Sequence, residues 1–238
     1  MSKLTLLKIV NNTLNALEAT KVSTIDETVE SSSIAEIAEE CFYEMVSQGD
    51  WPHLNELKVL DSLADSTKPN YLSIPEDVKE IKYLEYAGKR LNFIEVEKFL
   101  EISNSRDLSS DFVVEVEDHS GYTFKVANNK NPECFTIIND KYVVTDSFNE
   151  EVESTLQSSN SVAEVIIIPS WESDDSFIPS LTTNMFPTYL ALVKRAAFLY
   201  LRREQSLKDE RAAIAGMGRL YRKESRLNLT PRVKNYGR

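Results

Sequence analysis

His53 in the stretch DWPHLN and His119 in EDHSG are the only histidines in this chain of 238 residues. A histidine beside a carboxylate can relay a proton, and one with further ligands at fixed spacing can hold a metal. Neither has a partner at metal-ligand spacing, and His119 falls in a turn, where solvation is the ordinary fate of the side chain. Adjacent carboxylates, Glu39 with Glu40 or Asp174 with Asp175, could act as acid and base only if an apolar pocket raised one of them; acidic runs are generally solvated surface. There is no GxxxxGK[ST] phosphate cradle and no GxSxG elbow, and six glycines leave no Gly-rich loop. Cys41 and Cys134 sit in apolar stretches, ECFYEM and ECFTII, and read as buried thiols of a reducing compartment. The expectation is a protein that is not an enzyme, with no catalytic residue, no cofactor and no metal.

Charge is the more informative property. The chain carries 27 Lys or Arg and 38 Asp or Glu, for a net charge of −11. From Tyr189 to Arg238 there are 13 basic and 4 acidic residues, net +9, which leaves 14 basic and 34 acidic residues before it, net −20. An acidic body with a basic C-terminal fifth offers opposite faces to different neighbours, or to copies of itself stacked head to tail. The last 21 residues, GRLYRKESRLNLTPRVKNYGR, hold seven Lys or Arg and one acid, Glu224. Arg219, Arg222 and Lys223 complement the C-terminal dipole of a helix. Beyond them, 227–238 reads as an extended arm in which Leu227, Leu229, Val233 and Tyr236 alternate with cations. Solvation alone has no use for that interleaving, whereas an arm that orders on a partner is steered by its cations and anchored by its apolar groups. The partner is an acidic protein groove or a nucleic acid; the acidic body weighs against free duplex.

The elements that must carry this arm follow from periodicity. Leu4, Leu7, Val10, Leu14 and Leu17 predict a helix over 3–19, with Ser2 a candidate cap. Ile34, Ile37, Ala38, Cys41, Met45 and Val46 predict a second, opened by a Ser33–Glu36 capping box and closed at Gly49. Ile81, Tyr83 and Glu85 alternate with Lys82, Leu84 and Tyr86 up to a turn at Ala87-Gly88-Lys89, and Leu91 and Phe93 read as the returning strand. A short helix over 95–102 comes next, then strands over 112–117, 122–126, 134–138, 141–145 and 162–168. Helical spacing returns at Tyr189, Leu190, Val193, Ala196, Ala197, Tyr200 and Leu201, and again at Ala212, Ala213, Met217, Leu220 and Tyr221, as two helices or one bent near 205–209. The fold class expected is α+β: a helical bundle of N- and C-terminal helices, 1–54 and 186–226, an inserted antiparallel β-rich domain, 55–185, and an extended basic C-terminal arm, 227–238. No apolar run approaches the ~20 residues that span a membrane, and no signal peptide opens the chain, so a soluble protein made in the cytoplasm is expected.

The order of these segments is itself informative. VNNTLNALEATKVSTIDE followed by SSSIAEIAEECFYEMVSQGDWPHLNE resembles the opening of the head-to-tail adaptor proteins of short-tailed phages, the tail tubular protein A family. Gln48-Gly49-Asp50-Trp51 matches that family's Gln-Gly-Trp stop with Asp50 as an extra residue. IPEDVKEIKYLEYAGKRLNFIEVEKF is similar to its β segment, and MFPTYLALVKRAAFLYLRRE with KDERAAIAGMGRLYRKESRLN to its closing helices; residues 103–184 lie outside the resemblance. The resemblance implies a virion protein of the head–tail junction, made in the host bacterial cytoplasm. It implies twelve copies in a ring under the portal, a tail nozzle docked on the opposite side, and DNA met only in transit. It further implies that the C-terminal segment reaches the portal through Arg222, Lys223, Arg226, Leu229, Arg232, Val233, Lys234, Tyr236 and Arg238. An acidic channel wall would suit the passage of DNA. The alternative is a nucleic-acid-binding protein using the same basic tail.

Overall fold

The polypeptide divides at Leu54/Asn55 and Ile168/Pro169 into a helical unit, residues 1–54 and 169–238, and a β unit, residues 55–168. The computed structural model describes residues 3–202 and 206–227, with side chains up to 222.

In the helical unit, α1 (Leu6–Ala16) starts at Thr5, whose hydroxyl accepts from the N–H of Lys8. Its buried face is Leu6, Ile9, Val10, Thr13 and Leu14, so the helix is shorter than 3–19 and rotated from the expected stripe. The first amides of a helix lack internal acceptors; those of Leu6 and Leu7 are met by the carbonyls of Phe177 and Asp175. Asn11 clamps the connection to the next helix, its amide pairing with both the N–H and the C=O of Val22 at 2.9 Å. Helix α2 (Val29–Ser47) begins four residues before Ser33, at a capping box formed by Thr28 and Ser31. Ile34, Ile37, Ala38, Cys41, Met45 and Val46 are buried along it. Across this stripe lies Tyr189, fully buried, whose hydroxyl donates to the carbonyl of Ala38 at 2.6 Å and ties α4 (Phe186–Ala197) to α2.

The β unit holds β1 (Asn55–Lys58), β2 (Asp61–Ser62), β3 (Tyr71–Ser73), β4 (Val78–Tyr86), β5 (Lys89–Arg90) and β6 (Asn92–Phe93). After α3 (Val96–Asn104) come β7 (Val113–Glu117), β8 (Thr123–Ala127), β9 (Cys134–Ile138), β10 (Tyr142–Thr145) and β11 (Ser161–Ile167). One sheet has the order β1-β11-β4-β5, a second β2-β3-β10-β9-β6, and β7 and β8 form a two-stranded third. Two tight turns rest on left-handed residues, Ala87-Gly88 between β4 and β5 and Asn139-Asp140 between β9 and β10. The core of this unit includes Leu60, Tyr71, Leu84, Phe124, Val143 and Val165.

The architecture is α+β overall, with five α-helices and three sheets among the described residues. It corrects the expected bundle of N- and C-terminal helices carrying an inserted antiparallel β domain. Helix α3 lies within the β unit, and β6 pairs with β9 in parallel, making that sheet mixed. The chain does not simply return along β4 after the Ala87-Gly88 turn. Leu91, 2% exposed, bonds to the carbonyl of Leu84 and turns into the core; Asn92 and Ile94 then bond to Glu133 and Phe135 of the second sheet. Nor are the helices simply flanking elements, because the irregular segment 169–185 belongs to their unit. In it Trp171 packs on Phe42 of α2 and on Phe177, with ring centroids 5.2 and 4.8 Å apart.

Candidate docking surface

The basic C-terminal segment is carried by α5 (Leu207–Leu227), which comes after α4 and a π-helical turn, Phe198–Arg202. Two features seat α5. Gly216 lies against Thr188 of α4, so closely that a β-carbon at 216 would stand 2.4 Å from the threonine Oγ1. Tyr221 stacks on Trp51 at 5.9 Å with rings 21° apart, and its hydroxyl donates to Oε1 of Gln48 at 2.9 Å. Trp51 is fixed in turn by its indole N–H, which donates to the carbonyl of Met45. The Gln48-Gly49-Asp50-Trp51 stretch that ends α2 is therefore also the seat of α5.

This packing turns Ala213, Gly216 and Leu220 inward. The opposite face exposes Lys208, Arg211, Arg219 and Arg222 together with Leu207 and Ile214, the last two 60% and 62% exposed. In the π-helical turn Leu199 and Tyr200 are exposed as well, while Arg202 reaches back to Glu30 of α2 at 2.9 Å. The face joins cations to uncovered apolar groups, which is the composition of a surface that receives a partner.

Of the residues expected to dock, Arg222 is on this face, exposed, with its Nε donating to the carbonyl of Gly218 at 2.9 Å. Lys223 and Arg226 belong to the last turns of α5. Leu229, Arg232, Val233, Lys234, Tyr236 and Arg238 lie outside the described residues. Sequence reasoning did not single out Leu207, Lys208, Arg211 and Ile214. It also placed Tyr200 on the apolar stripe of α4. The π-helical turn explains the latter: its wider winding carries Leu199 and Tyr200 off the buried face.

The groups considered for catalysis are not brought together. His53 Nε2 is 3.0 Å from the carbonyl of Ser180, and desolvation lowers its pKa against the raising effect of that carbonyl. His119 stacks on Tyr142 at 4.6 Å in the β unit, exposed. Asp174 accepts from the hydroxyl and N–H of Ser176, which hold its carboxyl below the usual range, and Asp175 accepts from the N–H of Ile25 at 2.8 Å. Both are turn and tether residues. Glu39 is half-buried and Glu40 exposed on α2. Cys41 is buried and Cys134 partly so, and burial pushes each thiol up to about 12. Among the described residues, no cluster of three or more His, Cys, Asp or Glu could hold a metal, and no helix is long and apolar enough to cross a membrane.

Comparison with models of known protein families gives no match, and comparison with curated proteins gives none either.

Proposed function

We propose that this chain is a structural adaptor of a phage head–tail junction. It works as a twelve-membered ring between the portal and the tail nozzle and continues the channel through which DNA leaves the capsid. The reading rests first on the resemblance of the N-terminal pair of helices, the 75–99 segment and the closing helices to such adaptors. The observation in the structure that favours it is the outward face of α5. Four cations and two uncovered apolar residues lie there on a helix held by Gly216 and Tyr221, and the helix leads into the basic segment 228–238. Residues before Tyr189 carry net −20, so a cationic face that is also apolar suits an acidic protein surface better than free duplex, which the body would repel.

In this role Arg222, Lys223 and Arg226, and beyond the described residues Leu229, Arg232, Val233, Lys234, Tyr236 and Arg238, form the portal-docking element. No residue is asked to do chemistry. The test is co-expression with the portal protein of the same genome and electron microscopy of the purified particles at moderate salt. A second ring stacked on the portal supports the adaptor. A portal ring alone, with this protein instead binding DNA at a log–log salt slope of about −0.9 per phosphate neutralised, would replace it with a nucleic-acid-binding role.

A further inference from the structure

Strand β7 is an edge strand, and its residues line a cleft. Among the described residues it pairs only with β8, in the register Glu115↔Lys125 and Glu117↔Thr123. Asp118 donates its N–H to Tyr122 and Asn128 donates to Phe112, so the even-numbered residues of β7 bond to β8. Antiparallel pairing alternates, so the N–H and C=O groups of Glu115 and Glu117 point to the other side. Among the described residues, no hydrogen bond takes them. Val114–Glu117 also line a cleft of about 430 Å³, together with Thr67, Pro69, Phe148 and Glu150. A row of unpaired backbone groups beside a groove is a template for an added strand.

The cleft is acidic. Glu115 and Glu117 are exposed and have no ion pair among the described residues. Lys125, opposite Glu115, has its ammonium on the carbonyl of Arg106. Glu150 contributes a third carboxylate, held by the Asn128 amide at 2.6 Å. The complement is in the same chain. Arg232, Lys234 and Tyr236 recur at every second residue, as do Glu115 and Glu117. A strand at this spacing sets both cations against both carboxylates and Val233 on the side of Val116, Pro69 and Phe148.

We infer that the open edge of β7 accepts residues 232–236 of a second copy of this chain as an added strand, paired by backbone hydrogen bonds and by the Glu115/Glu117 and Arg232/Lys234 charges. Residues 232–236 lie outside the described residues, and their sequence is what fits them to the site. The inference needs no portal and stands apart from the adaptor role. Because the same segment is the proposed portal-docking element, the two uses exclude each other, and the portal would release the self-contact.

Sedimentation velocity of the full chain across concentration at low ionic strength tests this. Wild type associates; E115K/E117K and R232E/K234E each weaken association at least tenfold; the chain with all four changes regains it. Glu115 and Glu117 are exposed, so their reversal leaves the fold in place, and hydrogen exchange at these two amides gives a second reading, with protection rising as copies associate. A synthetic peptide of residues 227–238 competes. When it is N-methylated on alternate residues across 232–236, one phase still competes and the other fails, a difference that charge alone does not produce. Association unchanged in E115K/E117K, no rescue in the fourfold variant, or equal competition by both phases would overturn the inference. A monomeric chain with both amides already protected would overturn the second copy as occupant.

Discussion

The seat of α5 makes a quantitative prediction at Gly216. In a helix interior, Gly→Ala ordinarily stabilises by about 1 kcal/mol. Here the new carbon would lie 2.4 Å from Thr188 Oγ1, 2.7 Å from its Cγ2 and 3.0 Å from its Cβ. Thr188 is 6% exposed and comes directly after Pro187 in the first turn of α4, so it has little room to give way. Overpacking of this kind costs about 1–3 kcal/mol, and Gly216→Ala is therefore expected to be neutral or destabilising, by about 0–2 kcal/mol. Thr188→Ala removes the two closest atoms. In that background Gly216→Ala should recover most of its helix-propensity gain, for a coupling of about 1–3 kcal/mol in the double-mutant cycle. Tryptophan fluorescence during urea unfolding is a suitable assay, because Trp51 and Trp171, the two tryptophans, both belong to the helical unit. A Gly216→Ala protein stabilised by the full ~1 kcal/mol, with no coupling to Thr188, would refute the close approach of α4 and α5.

Two further predictions concern buried polar groups. Arg106 and Asp146, 15% and 5% exposed, pair at 3.0 Å, and Asp146 also accepts the N–H groups of Glu133 and Cys134. Asp146→Ala takes the carboxylate from the partly buried Arg106 guanidinium, which keeps the carbonyls of Lys125 and Asp146, and leaves two amides without their acceptor; it is expected to cost about 2–4 kcal/mol, read as faster hydrogen exchange at Glu133 and Cys134, and unchanged exchange would contradict it. The Cys41 thiol, raised first by burial and then by Glu44, stays protonated in the folded state up to about 12 and ionises near 9 when unfolded. Stability from this group is complete below pH 9 and falls above it, by about 1.4 kcal/mol per pH unit. Cys41→Ala should flatten that part of the stability–pH curve, and an unchanged slope between pH 9 and 11 would argue against the burial.

What the sequence makes legible depends on whether a signal is local. The buried stripe of α2 is fully readable because one face carries its apolar residues at helical spacing. Its start is not: the first turn is polar apart from Val29, 86% exposed, and the capping box closes with Ser31 rather than a glutamate. The stripe of α1 is displaced because Leu4 and Leu7 fall at helical spacing yet are only half-buried, while Leu6 and Ile9 face inward. Strand β1, NELK, shows no alternation, since its neighbour β11 rather than its own pattern makes it a strand. The parallel pairing of β6 with β9 joins residues about forty apart, with no turn between them to announce it. At the docking surface the charge division is legible by counting. Which cations of α5 face outward depends on the seating of Gly216 on Thr188 and of Tyr221 on Trp51, neither of which has a period.

The outward face of α5 is proposed to receive the portal. The most direct test is the binding of wild type and of R211E/R219E/R222E to isolated portal rings, counted as stacked particles by electron microscopy at moderate salt. These three arginines are on the outward face, so unfolding followed by tryptophan emission should stay within about 0.5 kcal/mol of wild type. Wild type is expected to give stacked rings and the variant bare portals. Equal stacking by both proteins would contradict this docking.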